Sequence, residues 1–228
     1  MNFDHFRANA QIDKQMNSIK QSIFIILILI FQVPASIFAQ RLWTDQGDQY
    51  YEFSDKGIEM VNPKNGMRSI FLSQQSLIPK GTTTALKVEN FSISKNKELI
   101  LLYTNSKRVW RENTRGDYWV YNKKSSQLQQ LGKQFPASQL MFAKFNPQAD
   151  KVAYVNKADH NVYVEDLANG RIVAVTKDGT DRLINGTFDW VYEEEFGCKD
   201  GFRWSPDGTS IAYWKLDARN IRNFLMIN

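Results

Sequence analysis

With 228 residues, 43% of them hydrophobic and 13% aromatic, the chain has ample material for a packed core. Its net charge of +5 is spread over interleaved acids and bases. No basic run exceeds a pair such as Lys123-Lys124, which argues against a nucleic-acid surface. The single cysteine, Cys198, excludes an intrachain disulfide and reads as a small buried or half-buried hydrophobe, and two histidines, His5 and His160, exclude a multi-histidine metal site.

Residues 1–39 read as a leader and signal peptide. Lys20 precedes the apolar "SIFIILILIFQV", and Pro34, Ala35 and Ser36 lead to Ala39, the charged, apolar and small-residue order of an export signal. The apolar run falls short of the roughly twenty residues that span a bilayer, so a periplasmic or secreted product is expected. An uncleaved membrane anchor is the alternative, since Ile37 is large for the cleavage position. Met16, which opens "MNSIKQ", is the more natural start, and residues 1–15 read as an over-long gene prediction.

Residues 40–228 read as strands. A first, degenerate unit surrounds "RLWTDQGDQYYEF". Ile58 to Val61 and Arg68 to Leu72 flank the turn formers "NPKNG", as a hairpin requires. Tyr118 to Tyr121 and Leu128 to Leu131 flank "NKKSSQ". Val162, Val164 and Leu167 alternate with polar residues before "ANG", and "RIVAVT" follows. No long stretch shows helical spacing, so the class is all-β.

Three segments share one plan: "FSISKNKELILLY" (91–103), "FAKFNPQADKVAY" (142–154) and "FRWSPDGTSIAYW" (202–214). Each opens on an aromatic residue, follows it two or three positions later with an apolar one, passes a Ser or Asn and a polar turn, and enters a strand reaching Tyr103, Tyr154 or Tyr213. In "SPDG", Pro206 sets φ, Asp207 can bond its own backbone and Gly208 takes a positive φ. A period of roughly fifty residues in a strand-rich chain indicates a β-propeller with one four-stranded sheet per blade. A β-sandwich with coincidental spacing is the alternative. Three to four units fit into 40–228, and the chain stops at "NFLMIN" inside what reads as another strand. An incomplete propeller, the N-terminal part of a larger one, is therefore expected.

The stretch "DWVYEEEFG" (189–197) sets Glu193, Glu194 and Glu195 among Phe188, Trp190, Val191, Tyr192 and Phe196. Three readings are open. The run could be a solvated acidic face. It could bind calcium, although the accompanying Asp-rich loop is missing. Or a pair of the carboxylates could hold an organic ammonium ion.

"DWVYEEE" followed by "RWSPDGTSIAYW" resembles the propeller domain of the dipeptidyl-peptidase IV family of serine exopeptidases, and so do "FSISKNKELILL" (91–102), "VWRENTRGDYWVYN" (109–122) and "LINGTFDWVYEEE" (183–195). The resemblance implies an eight-bladed propeller capping an α/β-hydrolase domain, and X-Pro or X-Ala dipeptides released from free amino termini without a metal or organic cofactor. A homodimer is an assembly open to the intact protein. The second and third glutamates of the motif, Glu194 and Glu195 here, would bind the peptide's free amino terminus. Arg111 in "VWRE" would reach the carbonyl of its second residue. Glu193 is expected to support them, and Asp189, Trp190 and Tyr192 to shape the segment. By itself, Arg111 beside Glu112 reads as a surface cation.

A peptidase of this type needs a nucleophilic Ser at a strained elbow, followed by Asp and His. No G-x-S-x-G string occurs in the chain, and His160 falls in a polar turn. The expectation is a recognition portion that is inactive alone, its catalytic domain lying in a longer parent. A non-catalytic propeller that binds peptides or partner proteins is the alternative. "NGT" at Asn185 matches a glycosylation sequon by pattern only.

Overall fold

The computed structural model describes residues 42–222, so the proposed signal segment lies outside the described residues. The described residues divide into two compact units, residues 42–52 with 60–69 and residues 53–59 with 70–222. In the first, Trp43 bridges to Tyr50 with their rings edge-to-face at 5.5 Å, and Arg68 pairs with Glu52 at 2.6 Å. Strands β1 (Tyr50–Ser54), β2 (Gly57–Val61) and β3 (Arg68–Ser73) are hydrogen-bonded in that order. Both strands expected around "NPKNG" are present.

The second unit is built from antiparallel meanders. β4 (Val88–Ile93), β5 (Leu99–Lys107), β6 (Arg115–Asn122) and β7 (Gln127–Gln130) follow one another in sequence and in space. β8 (Leu140–Phe145), β9 (Lys151–Asn156), β10 (Asn161–Asp166) and β11 (Ile172–Ala174) repeat the arrangement. A short pairing of Arg115 and Gly116 on β6 with Met141 and Leu140 on β8 joins the two into one eight-stranded sheet. In the third group, β13 (Phe202–Trp204) pairs with β14 (Ile211–Tyr213), and β12 (Leu183–Asn185) pairs with β15 (Lys215–Asp217). Four-stranded antiparallel units in series are the blades of a propeller-type all-β fold.

The sequence repeat has a local cause. Each repeat is a hairpin, β4–β5, β8–β9 or β13–β14, and its Ser or Asn closes the turn. Ser94 Oγ accepts the Leu99 N–H at 2.9 Å, Asn146 Oδ1 accepts the Lys151 N–H at 2.9 Å, and Ser205 Oγ accepts the Ser210 N–H at 2.9 Å. Three residues past each of them the backbone turns left-handed, with φ of 62° at Lys97, 60° at Ala149 and 68° at Gly208. The N–H of each of these residues bonds back to the carbonyl of Ser94, Asn146 or Ser205 at 2.8–3.0 Å. Only the third turn uses the glycine that this conformation favours.

The cores lie on both faces of β9. Val152 and Tyr154 face one way, packing with Leu101, Tyr118, Val120, Leu131 and Leu140. Ala153 and Val155 face the other way, packing with Met141, Val162 and Phe202. Strand periodicity of two places successive side chains on opposite faces, and burial of both makes "KVAYV" a continuous apolar run rather than an alternating one. Glu165 on β10 is 3% exposed and accepts the Gly132 N–H at 2.8 Å and the Tyr154 hydroxyl at 3.0 Å, tying the loop after β7 to the second meander. Burial raises its pKa above the usual carboxylate range, against those two hydrogen bonds and the charge of Lys133.

Two outcomes follow from these turns and this carboxyl. Asn146 Oδ1 also accepts the Asp150 N–H at 3.1 Å, so Asn146→Ala should cost about 1–3 kcal/mol and more than Ser94→Ala; urea titrations showing the reverse order contradict this. A carboxyl whose folded pKa is raised contributes stability below its unfolded pKa, near 4.3, and loses it as pH rises through the folded value. The stability of wild type relative to Glu165→Gln should therefore fall as pH rises from about 4 to 7, and a difference independent of pH contradicts the assignment.

Candidate functional site

The acidic run lies on a helix, α1 (Trp190–Phe196), which the sequence reading did not anticipate. Asp189 Oδ1 caps it by accepting the Tyr192 N–H at 3.1 Å, and Gly197, at φ 63°, ends it with its N–H on the Glu193 carbonyl at 3.1 Å. An Asp at the N-cap and a left-handed Gly eight residues later were the available signals. Tyr192 stacks on Phe188 at 5.4 Å and meets Phe196 one turn on at 5.7 Å, while Phe188 contacts Trp214 at 5.8 Å. These rings hold one side of the helix.

Successive helical residues diverge by about 100° around the axis, so the three glutamates cannot share one face. Glu193 and Glu194 are half-buried and Glu195 is exposed. Of their apolar neighbours, Trp190, Val191 and Phe196 are themselves exposed, at 48%, 48% and 69%. Glu193 and Glu194 each keep one buried oxygen, Oε1, without a hydrogen-bond partner. Glu194 and Glu195 lie in the C-terminal half of the helix, where the helix dipole disfavours negative charge. The crowding is therefore costly twice over and calls for cations.

Arg111 supplies one. It sits in the loop between β5 and β6, and its Nε forms an ion pair with Glu194 Oε1. The guanidinium side chain is 74% exposed and the Glu194 side chain 14% exposed. Arg108 braces the loop from within by donating from Nε and Nη2 to the Arg111 carbonyl at 3.2 and 3.0 Å, and the Val109 N–H bonds the Glu112 carbonyl at 3.1 Å. Glu112 pairs with Lys199 rather than with Arg111. Two of the three candidate residues, Arg111 and Glu194, thus meet directly; Glu195 lies one position along the same helix. Lys199 was not singled out from the sequence, because an isolated lysine carries no spacing signal.

The remaining candidates fall elsewhere. His160 is buried at φ 54° in the turn between β9 and β10, with Lys157 Nζ 3.1 Å from its Nε2, and burial first and Lys157 second hold its pKa below the usual imidazole range. Asn185 is fully buried and donates to Asp178 at 3.1 Å, so the folded chain does not present the sequon to a glycosylating enzyme. Cys198 is half-buried, as expected. Among the described residues no group of three or more His, Cys, Asp or Glu could hold a metal ion, and no helix is long and apolar enough to cross a membrane.

The blades define an all-β, propeller-type chain, and sequence comparison places it. The family model "Dipeptidyl peptidase IV (DPP IV) N-terminal region" matches residues 94–228, more than half of the chain. The chain belongs to the dipeptidyl peptidase IV family and carries part of its N-terminal region. It is 34% identical over 160 residues to dipeptidyl aminopeptidase B of Saccharomyces cerevisiae, covering 69% of this chain and 18% of that protein. A probable dipeptidyl-aminopeptidase B of Aspergillus niger is 29% identical over 185 residues, covering 79% of this chain and 20% of the relative. The crystal structure of Porphyromonas gingivalis dipeptidyl peptidase 4 superposes with a TM-score of 0.67 at 25% identity, over 78% of this chain and 25% of that one. The chain thus spans about a fifth of the length of these curated relatives.

Proposed function

We propose that this chain is the substrate-recognising, N-terminal part of an exported dipeptidyl peptidase, and that Glu194 and Glu195 with Arg111 bind the free amino terminus of a peptide. The meeting of Arg111 with Glu194 is the observation that carries the reading, because it sets a carbonyl-binding donor beside an ammonium-binding acceptor. Export rests on the charged, apolar and small-residue order of residues 1–39. Residues 40–228 are read as the opening blades of an eight-bladed propeller. The catalytic α/β-hydrolase domain belongs to the longer parent, which would release X-Pro or X-Ala dipeptides.

A peptide α-amine has a pKa near 8 and is mostly an ammonium ion at neutral pH. Two carboxylates on adjacent helical positions can receive its donors from two sides through charge-assisted hydrogen bonds, each worth roughly 1.5–3 kcal/mol. The incoming cation offsets both the mutual repulsion of the glutamates and the adverse helix dipole. It takes over Glu194 from Arg111, whose guanidinium then turns to the carbonyl of the second residue. An extended chain advances about 3.3–3.6 Å per residue. An anchored amine therefore sets the bond after the second residue about 7 Å away. The anchor measures peptide length by charge, and an acetylated amino terminus cannot satisfy it.

Calorimetric titration of the full chain with the tripeptide Ala-Pro-Ala and its N-acetylated form tests this reading. The free amine should bind at least about tenfold more tightly, and Glu195→Gln should erase that preference without lowering Tm. Equal affinity for the two peptides contradicts the anchor.

A further inference from the structure

Lys199 lies two residues beyond the glycine that ends α1, and its ammonium pairs with Glu112. Glu112 directly follows Arg111, whose own partner is Glu194. Consecutive loop residues of opposite sign therefore meet two partners of opposite sign on one segment. A slip that exchanged the partners would set Arg111 on Lys199 and Glu112 on Glu194, both repulsive. The charge order thus specifies a single docking register for the loop.

Each pair joins one exposed and one better shielded side chain, 74% and 14% exposed for Arg111 and Glu194 and 28% and 57% for Lys199 and Glu112, so water and salt weaken both. They differ in what the peptide does to them. An incoming ammonium ion breaks the pair of Arg111 with Glu194, whereas no part of the peptide competes for Lys199 and Glu112. The bracing of the loop by Arg108 and by the Val109 N–H transmits a tether at Glu112 to Arg111.

We propose that Lys199, acting through Glu112, is a positioning residue that keeps Arg111 beside the helix while a peptide's ammonium group takes over Glu194; this rests on the ammonium-anchor reading given above. The role follows from a contact specific to these residues and is separate from the two glutamates and the arginine that would touch the peptide.

Titration calorimetry with Ala-Pro-Ala provides the test. Lys199→Ala should weaken binding about two- to fivefold with Tm unchanged, and Lys199→Arg should restore it. In an Arg111→Ala background Lys199→Ala should have no further effect, because its influence passes through Arg111. Wild-type affinity in Lys199→Ala, or an equal loss in both backgrounds, overturns the positioning role while leaving the anchor standing. Absence of binding by the wild-type chain would instead remove the anchor, and this inference with it.

Discussion

An arginine on the loop after β5 and a glutamate on a short helix before β13 form the ion pair on which the functional account depends. Neither residue is well placed alone. Glu194 sits in an acidic run at the unfavourable end of a helix, and Arg111 is mostly exposed on an irregular loop. Their meeting matters because it is the product of long-range assembly. The first meander must place the loop, and the segment before the third hairpin must fold into α1, before the two charges can find each other. The site is thus a readout of correct blade order.

The meanders supply the rigidity this demands. β9, buried on both faces, lies between two cores, and Glu165 links the second meander to the loop after β7. Each hairpin is closed by its own side-chain acceptor, and Gln148 Nε2 donates to the Asp207 carbonyl at 2.8 Å, joining the second turn to the third. Loops leaving such a scaffold can carry exposed charged groups at defined positions, the usual division of labour between framework and recognition surface.

Much of this was legible in the chain itself, and the limits are physical. The hairpins at 91–103, 142–154 and 202–214 could be read because their chemistry is local: Ser94, Asn146 and Ser205 each act on a backbone amide five residues away. Arg111 and Glu194, which the fold brings together, were singled out through the family motif, as was Glu195 beside them. The helix was not, since seven residues make only two turns and show no periodicity; Asp189 and Gly197 were its only marks. The pairing of β6 with β8 and the pairing of Lys199 with Glu112, 87 residues apart, were beyond reach, because nothing local encodes so distant a partner. The exposure of Trp190, Val191 and Phe196 went unread for the same reason: apolar letters do not say which side of a short helix meets water.

The most direct measurement is the side-chain NMR resonance of Arg111 Nε–Hε in the full chain, compared between wild type and Glu194→Gln. A guanidinium paired with the Glu194 carboxylate should show a distinct Nε–Hε shift in the wild type, and that shift should be lost in the variant. Identical resonances in the two proteins would mean that loop and helix do not meet in solution, and the account of the site would be wrong.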